Sequence, residues 1–75
     1  MSEMAQFKIV QCQDRRWELY IKRESEEGGY TDWYLVAGNL LNREDAETIM
    51  KDIVEKDRFT PDRPLYYNRD GEEIP

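Results

Sequence analysis

Trp17-Glu18-Leu19-Tyr20-Ile21-Lys22-Arg23 is the stretch on which the fold turns. Successive side chains of a strand point to opposite faces, so Trp17, Leu19 and Ile21 make an inward row while Glu18, Tyr20 and Lys22 point out. Upstream, Phe7-Lys8-Ile9-Val10-Gln11-Cys12 alternates in the same way, with Phe7 and Ile9 on one face. The polar Gln13-Asp14-Arg15-Arg16 between them reads as a turn, and the pair predicts an antiparallel hairpin.

Downstream, Glu24-Ser25-Glu26-Glu27-Gly28-Gly29 is a charged loop ending in two residues that tolerate positive φ. Residues 30–36 resume the β pattern with Trp33 and Leu35 in phase, which gives a three-stranded meander. Ala37-Gly38 breaks that pattern. Asn42 then precedes Arg43-Glu44-Asp45, an N-cap followed by acids that oppose the positive end of a helix dipole. Ala46, Ile49, Met50, Ile53 and Val54 recur at the spacing of an amphipathic helix. Burying that stripe is worth on the order of 8–12 kcal/mol gross, far more than the few tenths of a kcal/mol each expected from Glu47 with Lys51 and Asp52 with Lys56.

Pro61 and Pro64 make the stretch after the helix a non-helical connector, because each lacks an amide donor. It leads to a short strand at Leu65-Tyr66-Tyr67 and a turn at Asp70-Gly71, after which the tail either folds back or frays. The expected fold is therefore α+β: a three- to four-stranded antiparallel sheet with one amphipathic helix on one face, in the order β-β-β-α-β. One helix covers one face of a sheet, which leaves the other face bare.

A chain of 75 residues makes one domain, residues 1–75, with 1–5 and 68–75 as its least anchored segments. A chain this short sits near the lower size limit for a single hydrophobic core, with an expected net stability of about 3–5 kcal/mol. Charged residues are 37% of the sequence, a level that favours disorder, yet nine aromatics interleaved with Ile, Leu and Val supply enough apolar area to fold it. The lone Cys12 forms no intrachain disulfide, the N-terminus does not read as a signal sequence, and no apolar run is long enough for a membrane helix. A soluble protein of the reducing cytoplasm is the expectation.

Chemistry near neutral pH needs groups that change protonation there, and the sequence has no histidine. Without one to activate it, Cys12 reads as a small buried strand hydrophobe rather than a nucleophile. The acids at 24, 26 and 27 and at 70, 72 and 73 read as solvated loop carboxylates, because a raised pKa needs a dry pocket. Asn68-Arg69-Asp70-Gly71 has the order of the middle of a calcium loop, but Tyr66 would stand at the first ligand position. Neither glycine-rich phosphate fingerprint occurs. No catalytic residue, metal ligand or cofactor site is therefore expected.

The formal net charge of −6 is uneven, being +2 over residues 1–23 and −7 over residues 24–57. Two binding surfaces follow. Tyr20 and Tyr34, read as projecting from the outer sheet face near Lys22, Arg15 and Arg16, could stack bases or simply brace the sheet. The net charge opposes a polyanion and favours a protein with a basic surface, met by Tyr20, Tyr34, Glu24, Glu26, Glu27, Asp32, Glu44 and Glu47. A plain solubilising surface is the simpler alternative for those acids.

Tyr34-Leu35-Val36-Ala37-Gly38 followed by Asn42-Arg43-Glu44-Asp45-Ala46-Glu47 resembles the strand, glycine and helix start of many small α/β modules, including sporulation-related peptidoglycan-binding repeats. The doubled β-α-β pattern of those repeats is absent, so no ligand or residue role is carried over. In overall character, a short acidic chain without catalytic equipment is similar to phage-encoded inhibitors such as anti-CRISPR proteins, by type rather than by motif. The function expected first is a small acidic inhibitor or regulator that occupies a basic surface of a larger protein. A single-stranded nucleic-acid module and a small assembly subunit, self-associating through the bare sheet face, are the rivals.

Overall fold

The computed structural model describes residues 4–24, 28–29, 31–57, 60–61 and 63–74. The expectations for Glu26, Glu27 and Tyr30 lie outside the described residues. The hairpin forms from β1 (Met4–Gln11) and β2 (Trp17–Arg23), paired antiparallel from Ala5 opposite Arg23 to Gln11 opposite Trp17. Between them the chain turns tightly: the Cys12 amide donates to the Arg16 carbonyl at 2.7 Å, and Arg15 takes a φ of 68°. Of the inward rows the alternation implies, Phe7, Ile9, Leu19 and Ile21 are buried and Trp17 is half-buried against the core. Strand β1 starts earlier than the sequence pattern implies, at Met4, so that Ala5, in the segment expected to be least anchored, is fully buried.

The third strand, β3 (Tyr34–Leu40), starts and ends later than the sequence pattern implies. Thr31 is not part of it, because its amide and hydroxyl close the preceding loop against the backbone of Arg23 at 2.8 and 3.2 Å. Ala37 and Gly38 are inside β3 rather than a break after it. The strand accommodates them by irregular pairing: Leu19 faces Ala37 while its neighbour Tyr20 faces Leu35, and a second shift lies between Ala37 and Leu40. Asn39, with a φ of 57°, lies in that second irregular stretch, and asparagine tolerates this left-handed conformation better than most residues.

Helix α1 (Arg43–Asp57) follows directly. Asn42 occupies the position before it, and its carbonyl accepts from the Asp45 amide at 3.2 Å. Ala46 is fully buried, and Ile49, Met50, Ile53 and Val54 pack on the core with Trp17, Leu40 and Tyr66. Of the two expected ion pairs, Lys56 meets Asp52 at 3.1 Å, but Glu47 turns back one helical turn to Arg43 at 3.5 Å instead of forward to Lys51.

After the helix, β4 (Thr60–Pro61) and β5 (Leu65–Tyr67) run in succession along the free side of β1, giving the sheet order β3-β2-β1 with β4 and β5 beyond. Both pair parallel to β1, where the sequence suggests an all-antiparallel sheet. The cause is the helix: a strand, a crossover helix and a second strand in one sheet naturally leave the two strands parallel, and β3 already runs parallel to β1. The tail folds back as a hairpin. Asn68 holds its turn, with Oδ1 accepting from the amides of Asp70 and Glu72 at 3.0 and 2.9 Å, and the Ile74 amide reaches the Tyr66 carbonyl at 2.7 Å. Gly71, at a φ of 82°, supplies the one conformation in this turn that a side chain would strain.

Candidate functional site

The crossover fixes which surfaces remain for function. The helix lies on the face of Phe7, Ile9, Leu19 and Ile21, so the opposite face carries Gln6 beside Lys22, Lys8 beside Tyr20 and Val10 beside Glu18. That face is less bare than one helix and one sheet imply. Trp33, from the segment before β3, lies with its ring 4.6 Å from the Lys8 ammonium and 4.7 Å from that of Lys22. Lys8 also lies 4.8 Å from the ring of Tyr20, whose hydroxyl donates to Glu18 Oε1 at 2.9 Å. Burial and the neighbouring Lys22 charge hold the Lys8 ammonium below its ordinary pKa. The Cys12 thiol is pushed up to about 11 by burial, by a hydrogen bond to Glu18 and by the charges of Glu18 and Asp14. It is half-buried just past the end of β1.

Tyr20 and Tyr34 do not share a face. Tyr34 stands opposite Ile21 and so belongs to the helix side, whereas Leu35 stands opposite Tyr20. The irregular pairing of β3 makes this inversion, because each extra residue on one strand shifts the facing of those beyond it. Arg15 is on the exposed hairpin turn, and the basic residue directly across from Tyr20 is Lys8. Lys8 and Trp33 are the contacts the sequence did not disclose. The facing of Lys8 was open to view in the alternation of β1, but its partner depends on the hairpin register.

The other surface is the outer edge of β3. Among the described residues β3 has a strand neighbour only on its β2 side, and it presents Tyr34 at 65% exposure, Leu35 at 54% and Val36 at 36%, with Leu41 just beyond at 64%. These are the exposed large hydrophobic residues of the described chain. An unpaired edge with apolar side chains is the part of a sheet most disposed to take up another chain. Acids bracket it: exposed Asp32 lies two residues before Tyr34, and exposed Glu44 lies in the first helical turn after Leu41. Glu24 is exposed at the end of β2, its amide bonded to the Met4 carbonyl at 3.1 Å, and Glu47 is occupied by Arg43. Of the acids singled out in the sequence that the structure describes, Asp32 and Glu44 are therefore the two that flank the exposed apolar edge in the chain.

A groove of about 400 Å³ lies between the helix start and the C-terminal hairpin, lined by Arg43, Glu47, Arg63, Tyr66, Glu73 and Ile74 among others. Arg43 packs over the Tyr66 ring at 5.3 Å, and burial together with the Glu47 charge raises the Tyr66 pKa against the opposing effect of Arg43. Among the described residues no group of three or more His, Cys, Asp or Glu side chains is placed to hold a metal ion, and no helix is long and apolar enough to cross a membrane. No family model, no curated protein and no solved structure matches the chain.

Proposed function

We propose that this chain is a protein-binding module, an inhibitor or regulator that docks on a basic surface of a larger protein through the outer edge of β3. The observation that carries the reading is the run Tyr34-Leu35-Val36, exposed on an unpaired strand edge and bracketed by Asp32 and Glu44. An extended segment of the partner laid along β3 gains main-chain hydrogen bonds, its apolar side chains meet Leu35 and its basic ones meet the flanking acids. The net charge of −6 steers such a partner in and disfavours acidic competitors.

Binding is favoured over catalysis because the sequence has no histidine and the Cys12 thiol, held at about 11, is protonated at neutral pH. Self-association at the same edge would set −6 against −6, so a basic partner suits it better than a second copy.

The test is affinity capture from native lysate at low and high salt, with wild type, Leu35→Asp and Asp32→Lys/Glu44→Lys run together. A protein retained by wild type, weakened by salt and lost by both variants supports the reading. Equal capture by all three, or recovery of the chain alone, overturns it.

A further inference from the structure

The face opposite the helix holds a second concave site, unrelated to the β3 edge. Lys8, Val10, Trp33, Tyr67 and Gly71 line a slot of about 290 Å³, near the lower end of the range for small-molecule sites and sized for one ring system. Two of its walls are aromatic. The Lys8 ammonium that lines the slot lies 4.6 Å from the centre of the Trp33 ring, and the Lys22 ammonium, outside the lining, lies 4.7 Å from the same ring, in an otherwise acidic chain. Among the described residues neither ammonium has a carboxylate ion-pair partner. The two repel each other, and that repulsion is one of the causes holding Lys8 below its ordinary pKa. A doubly negative group placed between them would remove the repulsion, while a flat ring beside it would stack on Trp33 or Tyr67.

We propose that the slot formed by Lys8, Trp33 and Tyr67, with Lys22 beside it against the Trp33 ring, binds a planar ring bearing a phosphate. This is the chemistry of a nucleoside monophosphate, free or as one unit of a single strand. Ring stacking holds the base and the two ammoniums hold the phosphate. The free form suits the site better, because a longer strand brings further phosphates against a chain of net charge −6.

The test follows Trp33 emission in the full chain during titration with adenosine monophosphate, adenosine, inorganic phosphate and a ten-nucleotide deoxyadenylate strand. A Trp17→Phe background leaves Trp33 as the only indole. The expected result is saturable quenching by the monophosphate, with adenosine and phosphate each weaker by about tenfold or more and Lys8→Gln weakening it by about tenfold. Tighter binding of the strand, if also lost in Lys8→Gln, supports the site and makes the strand its source. No saturable change, quenching by phosphate alone at equal strength, or undiminished binding in both Lys8→Gln and Lys22→Gln overturns the proposal. Lys22→Gln also serves as the reading should Lys8→Gln prove poorly folded.

Discussion

Cys12 shows how a single residue is disarmed by its surroundings. With the thiol raised from 9.0 to about 11, the thiolate fraction at neutral pH is ~100-fold below that of an unperturbed thiol. Alkylation of the folded chain by iodoacetamide at pH 7.5, measured by mass, is expected to be slower than in the denatured chain by about that factor. The same shift links to stability. Between pH 9 and 11 the folded chain keeps a proton that the unfolded chain has lost, so stability falls as pH rises through that window. Tyr20 and Tyr66, also raised by burial, extend the fall above pH 10, while the lowered Lys8 acts in the opposite sense. Melting curves at pH 8 and pH 10.5 are expected to show a smaller drop for Cys12→Ser than for wild type. At the core, Phe7 and Ile9 are fully buried, and Ile9→Ala is expected to cost about 2–5 kcal/mol in urea unfolding. On a chain this small that is enough to unfold most of it.

Among the elements, the hairpin and the helix were legible because their patterns are strong: β2 alternates from Trp17 to Lys22, β1 alternates from Phe7 to Ile9 although its first three residues were not legible as strand, and α1 keeps one apolar stripe from Ala46 to Val54. The limits of β3 were not, because Thr31 spends its hydrogen bonds closing the loop and Ala37-Gly38, weak strand formers, lie in the strand between the pairings of Ala37 with Leu19 and Leu40 with Trp17. The face of Tyr34 was lost for the same reason, since alternation cannot be counted through an irregularity. The parallel direction of β5 depends on where the crossover lands, which no local pattern records. Asn39 tests the irregular stretch: Asn39→Val, forced to a φ of 57°, is expected to lose about 1–2 kcal/mol in thermal or chemical unfolding, and Asn39→Gly to lose little or nothing. Arg43→Ala, which removes the ion pair to Glu47 and the contact on Tyr66, is expected to cost no more than about 1–2 kcal/mol in the same assay.

At the scale of the whole molecule, the sequence declared the charge and the fold class but not the surface that carries the function. The eight residues singled out as contacts divide into two acids flanking an apolar edge, two tyrosines on opposite faces, one acid tied up by Arg43, Glu24 exposed at the end of β2, and two outside the described residues. What gathers the useful ones is the position of β3 at the edge of the sheet, a property of topology. The measurement that tests the docking edge most directly is amide hydrogen exchange on the chain, free and in complex with the protein it captures. The account predicts new protection concentrated at residues 34–40, with the amides of residues 6–10 and 18–22 unchanged. Protection of residues 6–10 and 18–22 with none along β3 would contradict it.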